Sequence, residues 1–347
     1  MPEEEKQITE ISELGEFGLI KHLTENIKLK NESTIYGIGD DAAVLDYKGK
    51  QMVITTDLLT EGIHFDLMYT PLKHLGYKAA IVNFSDVYAM NATPKQMTVS
   101  LAISRKFSLK AIDELYDGLK MACEKYGVDL VGGDTSSSVT GMTISVTVVG
   151  EAEKEKLVYR KGAKPNDLIC VSGDLGSAYL GLLLLKREQE VFKINPDMQP
   201  QLKGYDYILE RFLKPEARRD IIEFLTKKKI LPTSMIDISD GLSSEILHIC
   251  EQSKAGCRIY EEKIPIDLLA NKMADEFNLV PTVAALNGGE DYELLFTVSM
   301  KDYEIIKENP AISIIGHITS EKDGRYLISN ADQAIEIKAQ GWNGMEG

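Results

Sequence analysis

The chain has 347 residues, longer than one ordinary core serves, so two domains are expected. Its composition, 44% hydrophobic and 27% charged, is that of a globular protein. A net charge of −15 excludes nucleic acid and anionic membrane as natural partners, although bound divalent cations would still let phosphorylated ligands in. The acidic start, MPEEEKQITE, has no secretory pattern, and no apolar run reaches membrane-spanning length. Cys123, Cys170, Cys250 and Cys257 lack C-x-x-C spacing and read as reduced, buried thiols, which points to the cytoplasm.

Taken in chain order, residues 11–30 carry Leu14, Phe17, Leu19, Ile20, Leu23 and Ile27 near helical spacing, which predicts an amphipathic helix. The stretch GIGDDAAVL, residues 37–45, has the G-x-G-x-x-A spacing of a phosphate-binding turn. Asp40 and Asp41, however, would repel a bare phosphate there. Met52 to Thr56 reads as a short strand ending at Asp57. A helix follows over 73–90, a turn at Asn91–Pro94, and a strand over 96–103. Ser108 is the expected N-cap of a helix over 109–126. Residues 129–135 read as a strand breaking into a glycine turn at Gly132–Gly133, and 142–150 as an alternating strand.

The charged segment 151–166 marks the boundary between a domain over 1–150 and one over 151–347. Beyond it the strand–turn–helix pattern occurs at Asp167–Ser172 into residues 173–187, and again at Met235–Leu247.

Carboxylates recur at the expected strand ends: Asp40 and Asp41, Asp57, Asp134, and Asp237 with Asp240. On a strand Thr55 and Asp57 share one face, as do Asp237 and Ser239. On the helix Asn83 and Asp86 are neighbours at i and i+3. A single aspartate of this kind is ordinarily a turn-former or cap. Their recurrence beside hydroxyls and glycine backbone is the oxygen-rich equipment of Mg²⁺, which takes one or two carboxylates together with phosphate oxygens. On that reading the GIGDD turn meets phosphate through metal. There is no G-x-x-x-x-G-K-[ST], no protein-kinase motif set and no G-x-S-x-G elbow.

The motifs GIGDDAAVL, TTDLLTEGIHF, NFSDVYAM, GGDT, VYRKGAKPND, DISDGL and GGEDYEL occur in that order across most of the chain. Together they closely resemble the thiamine-monophosphate kinases, within the larger ATP-dependent group that includes aminoimidazole ribonucleotide synthetase and selenophosphate synthetase. The resemblance implies an α/β architecture in two domains: an α+β N-terminal half whose mixed sheet dimerises into a barrel, and an α/β C-terminal half. It implies transfer of the ATP γ-phosphoryl group to thiamine monophosphate in a homodimer, with no nucleic acid or membrane partner. By resemblance Asp41, Thr55, Thr56, Asp57, Asp86, Asp134, Asp237 and Asp240 hold several Mg²⁺ ions. Gly133, Asp134, Arg160 and Ser239 contact ATP, and His64, Glu290 and Trp342 contact thiamine monophosphate.

On their own these last residues carry blander readings. His64 is by default a capping residue, and Arg160 a solvated linker charge. Trp342 either packs locally or stacks on a flat cationic ring. Tyr116 belongs to the core of its helix. Asn91 and Asn166 stand where the family has glycine, and asparagine tolerates the left-handed backbone such turns need. The ending GWNGM departs from the family pattern and bears on the acceptor-side contacts. A related synthetase with another acceptor, a non-catalytic Mg–nucleotide sensor and a Rossmann dehydrogenase are the competing readings.

Overall fold

The computed structural model describes residues 22–36, 44–45 and 51–338. GIGDD, with Asp41, and Trp342 lie outside them, as does the first half of the expected helix over 11–30. Within that helix residues 22–24 are helical and 27–30 are not. The chain divides into two compact units, one drawn from 1–87 and 93–152, the other from 88–92 and 153–347.

The first unit is built on strands β3 (Gln51–Thr60), β4 (Thr93–Ile103), β5 (Asp129–Ser137) and β6 (Thr143–Ala152), in the order β3-β6-β4-β5. Only β4 and β5 run parallel. A small antiparallel pair, β1 (Thr34–Tyr36) and β2 (Val44–Leu45), precedes them. Strand β6 alternates strictly, with Ile144, Val146 and Val148 buried, as a half-covered strand must.

Among the described residues this unit carries two long helices, Leu72–Ala89 and Leu109–Tyr126. They cross at glycines: a Cβ on Gly76 would lie 1.9 Å from the Leu115 carbonyl oxygen, and one on Gly118 as close to that of Lys73. The side chains around the crossing, Tyr77, Ile81, Phe84, Ile112, Leu115 and Leu119, are fully buried. Ser108 caps the second helix by accepting the Ala111 N–H, and Gly127 closes it in left-handed conformation. Tyr116 is buried, as the sequence reading expects. From Leu75 to Ala89 every residue of the first helix is buried except Asp86. Asp86 is thus the one carboxylate on that helix, partly open among buried neighbours.

Two sequence expectations are corrected here. Strand β3 continues to Thr60, so Asp57 sits inside a strand and not at its end. Strand β5 runs on through Gly132 and Gly133 in register with β4, absorbing the irregularity as a bulge at Val131 instead of turning. A Cβ at Gly133 would lie 1.9 Å from the Val99 carbonyl oxygen, so the glycine permits close approach of two strands.

The second unit carries β7 (Leu168–Ser172), β8 (Ser234–Ile238), β9 (Ala255–Tyr260), β10 (Glu293–Val298), β11 (Ile312–Ser320), β12 (Arg325–Ile328) and β13 (Ala334–Glu336). Their order is β13-β12-β9-β11-β7-β10-β8, antiparallel apart from β12 on β9. Strands β7, β10 and the edge strand β8 are buried along their whole lengths. One core joins Val171, Ile236, Ile238 and Leu295 to Leu242, Ile246 and Ile249 of the Leu242–Ser253 helix. Another joins Leu180 and Leu184 of the Ser177–Ile194 helix to Ile208, Met273 and Ala284. Both sheets thus belong to a mixed α/β architecture. All four cysteines are free and buried. No helix among the described residues is long and apolar enough to cross a membrane.

Candidate functional site

In the first unit the structure brings Thr55, Asp57 and Asp86 to the same face. Two residues apart on β3, Thr55 and Asp57 point the same way, towards the helix that carries Asp86. The Thr55 hydroxyl donates to an Asp86 carboxylate oxygen at 2.6 Å. Burial, and after it the Asp86 charge, pushes the Asp57 carboxyl up to about 6. An acid pair in this condition favours a cation, and its all-oxygen donors suit a hard one.

Thr56 points to the opposite face, where its hydroxyl donates to the Val146 carbonyl and meets the Thr147 hydroxyl at 3.0 Å. Asp134 lies on that same open face. Register carries Leu58 to Ser145, Ser145 to Ser100 and Ser100 to Asp134, and facing residues share a side. The side chains of Thr56 and Asp134 are therefore not gathered with Asp57 within this unit. His64 sits in the turn after β3, its ring Nδ1 accepting the Thr60 N–H at 3.0 Å.

In the second unit the DISDG and GGED motifs interlock through their backbones. The Glu290 N–H donates to the Ser239 carbonyl at 2.7 Å, and the Tyr292 N–H to that of Ile238 at 2.9 Å. Gly289, at φ +68°, has no room for a side chain: a Cβ would stand 2.4 Å from the Ser239 oxygen. Gly241, at φ +116°, is similarly pressed against Leu286. These glycines let two acid-bearing turns touch, placing Ser239, Asp240 and Glu290 side by side. Asp237 is buried inside β8. Partial burial of its carboxyl, with Glu290 nearby, raises the pKa of Asp240, while His248 and Arg160 pull it down.

Glu245 was not singled out in the sequence. Its buried carboxylate accepts the Asp240 N–H at 2.9 Å, fixing that turn, and burial pushes it up to about 7. An acid in the first helical turn after DISDG was the available signal. Asn91 and Asn166 adopt φ of 52° and 73°, the left-handed backbone expected of glycine substitutes. Asn91 adds a side-chain bond to the Lys156 carbonyl at 2.8 Å. Among the described residues no group of three or more His, Cys, Asp or Glu is gathered so as to hold a metal ion.

Residues 39–152 match the family described as AIR synthase related protein, N-terminal domain. A thiamine-monophosphate kinase of Bacillus subtilis is 34% identical over 336 residues, covering 95% of this chain and 99% of the relative. One of Aquifex aeolicus is 38% identical over 290 residues, covering 83% and 87%. AaThiL solved in complex with AMPPCP and TMP superposes with a TM-score of 0.72 at 32% identity, over 96% of this chain and 97% of that one. The chain belongs to the thiamine-monophosphate kinase family, and it is an enzyme.

Proposed function

We propose that the protein transfers the γ-phosphoryl group of ATP directly to the phosphate of thiamine monophosphate, releasing thiamine diphosphate and ADP. The observation that carries the chemistry is the Asp57–Asp86 pair, held in mutual repulsion with Asp57 pushed up to about 6. The relative solved with AMPPCP and TMP supports the choice of substrates.

The Asp57, Asp86 and Thr55 oxygens of the first unit suit Mg²⁺; on the family resemblance Asp237 and Asp240 of the second unit, Asp41, and Thr56 and Asp134 on the opposite face of the first sheet are proposed as ligands of further ions. Bound there, the ions would neutralise phosphate oxygens and clamp the two anionic reactants. The chain itself supplies position. Arg160 offers a guanidinium fork to phosphate beside the Asp240 turn. Ser239 and Gly133 present ATP contacts where hydroxyl and bare backbone are exposed to a ligand. Glu245 holds the Asp240 N–H, so that turn cannot swing as charge shifts. His64, whose Nδ1 accepts the Thr60 N–H, is assigned with Glu290 and Trp342 to contacts with thiamine monophosphate on the family resemblance. The nucleophile is an already ionised phosphate oxygen, so no strong general base is needed.

The open face of the first sheet supports a homodimer. Met52, Ile54 and Leu58 alternate along β3 and are 46%, 63% and 56% exposed, a row of apolar side chains that a second copy would cover. The test of the reaction is an assay with ATP and thiamine monophosphate, with Mg²⁺ or with chelator, following both products. Equal, Mg²⁺-dependent appearance of ADP and thiamine diphosphate supports it. ADP without thiamine diphosphate would move the acceptor elsewhere.

A further inference from the structure

The acceptor-side turn is strained. Glu290 and Tyr292 both adopt left-handed backbone, at φ 63° and 52°, with Asp291 between them. Such conformations are unfavourable for residues with a side chain and persist only where the surroundings over-determine them. The backbone bonds to Ser239 and Ile238 supply part of that constraint. The remainder converges on one buried cation.

Arg211, in the Asp206–Leu213 helix, reaches three pieces of chain at once. Its Nη2 lies 3.1 Å from a Glu293 carboxylate oxygen and 3.8 Å from one of Asp291. The same nitrogen donates to the carbonyls of Asp174 at 3.0 Å and Asp291 at 3.4 Å. The fully buried Asp291 carboxylate is held from its other side by N–H groups opening the Ser177–Ile194 helix, Gly176 at 2.8 Å and Ala178 at 3.4 Å. Glu293 is also paired with Arg218 and accepts the Ser172 hydroxyl. Asp174 in turn accepts the hydroxyls of Ser177 and Tyr207.

We propose that Arg211 is a positioning residue for the acceptor: through Asp291 and Glu293 it fixes the left-handed turn that aims Glu290, and so sets the affinity for thiamine monophosphate. This rests on Glu290 being an acceptor contact. A purely stabilising ion cluster would be served as well by apolar packing of similar volume. The planar guanidinium does something apolar packing cannot, since its Nη2 donates to the carbonyls of two separate turns at once. Release of either turn lets Glu290 relax to ordinary backbone and swing its carboxylate away.

The test compares Glu290→Gln, Arg211→Lys and Tyr207→Phe with the wild type, measuring KM for each substrate, kcat and the thermal midpoint. Arg211→Lys keeps the charge and loses the fork. It is expected to raise KM for thiamine monophosphate tenfold or more while KM for ATP stays within twofold. A fall in thermal midpoint with both KM values unchanged, or equal rises in both, would overturn the proposal. Tyr207→Phe removes only one hydroxyl from Asp174. If Arg211→Lys does not fold, it must carry the same split, about threefold, and its absence there overturns the proposal equally. Glu290→Gln separates the two levels: an unchanged acceptor KM in that variant defeats the Glu290 reading itself, whereas a raised one beside an unaffected Arg211→Lys defeats only the role of Arg211.

Discussion

Replacing Asp57 by asparagine should stabilise the protein and abolish its turnover together. In the folded chain the Asp57 carboxyl is raised from 3.8 to about 6, by burial first and by Asp86 second. A raised acid makes its contribution to stability below its unfolded value and loses it as pH rises through the folded one. Above about pH 6 the ionised carboxylate therefore weighs against folding. A difference of roughly two pKa units corresponds to an upper bound of about 3 kcal/mol. Partial hydration of the carboxylate and the amide's own need for partners bring the expected gain to about 1–3 kcal/mol at pH 8. For units of this size that is roughly 3–10 °C in thermal midpoint. The assay is thermal unfolding of wild type and Asp57→Asn in chelator at pH 8 and pH 4, repeated with Mg²⁺ at pH 8. The variant should be more stable at pH 8, the gain should vanish at pH 4, and Mg²⁺ should raise the wild type more than the variant. A variant no more stable than wild type at pH 8, or a gain that persists at pH 4, would refute the reasoning.

Further substitutions probe the other constraints. Gly289→Ala places a Cβ 2.4 Å from the Ser239 oxygen at φ +68°, so a loss of about 2 kcal/mol or more is expected in denaturant unfolding; a neutral result would show that the turns are not interlocked. Asp129→Ala strips the acceptor from the N–H groups of Lys30 and Asn31 and the Thr34 hydroxyl. It should cost about 2–3 kcal/mol and loosen residues 30–34, read by amide exchange; unchanged protection there would contradict it. Ile54→Lys, on the exposed row of β3, should yield monomers in sedimentation if that face joins two copies, and an intact dimer would remove that surface from the account.

The sequence revealed what depends on local pattern. The Ser108 cap, the helix it opens, the alternation of β6 and the left-handed asparagines are each dictated by a few adjacent residues, and the structure has them. Aspartate placement was legible only in part. Asp57 and Asp134 looked like strand terminators because Asp disfavours strands. Pairing with β6 carries one strand on to Thr60, and pairing with β4, past a bulge at Val131, carries the other through two glycines. That Thr55 and Asp57 share a face follows from strand periodicity, but that Thr56 and Asp134 share the other needed the full register of four strands. Arg211 left no trace in the sequence, because its partners at Asp174, Asp291 and Glu293 are distant along the chain. Glu245 could have been found from its place in the first turn after DISDG.

The most direct test of the account is a single turnover with γ-labelled ATP, Mg²⁺ and thiamine monophosphate, quenched through time. Direct transfer predicts that label leaves ATP and enters thiamine diphosphate in one phase, with none on the protein and none in free phosphate. Label accumulating on the protein, or released as inorganic phosphate while thiamine monophosphate remains unchanged, would contradict it.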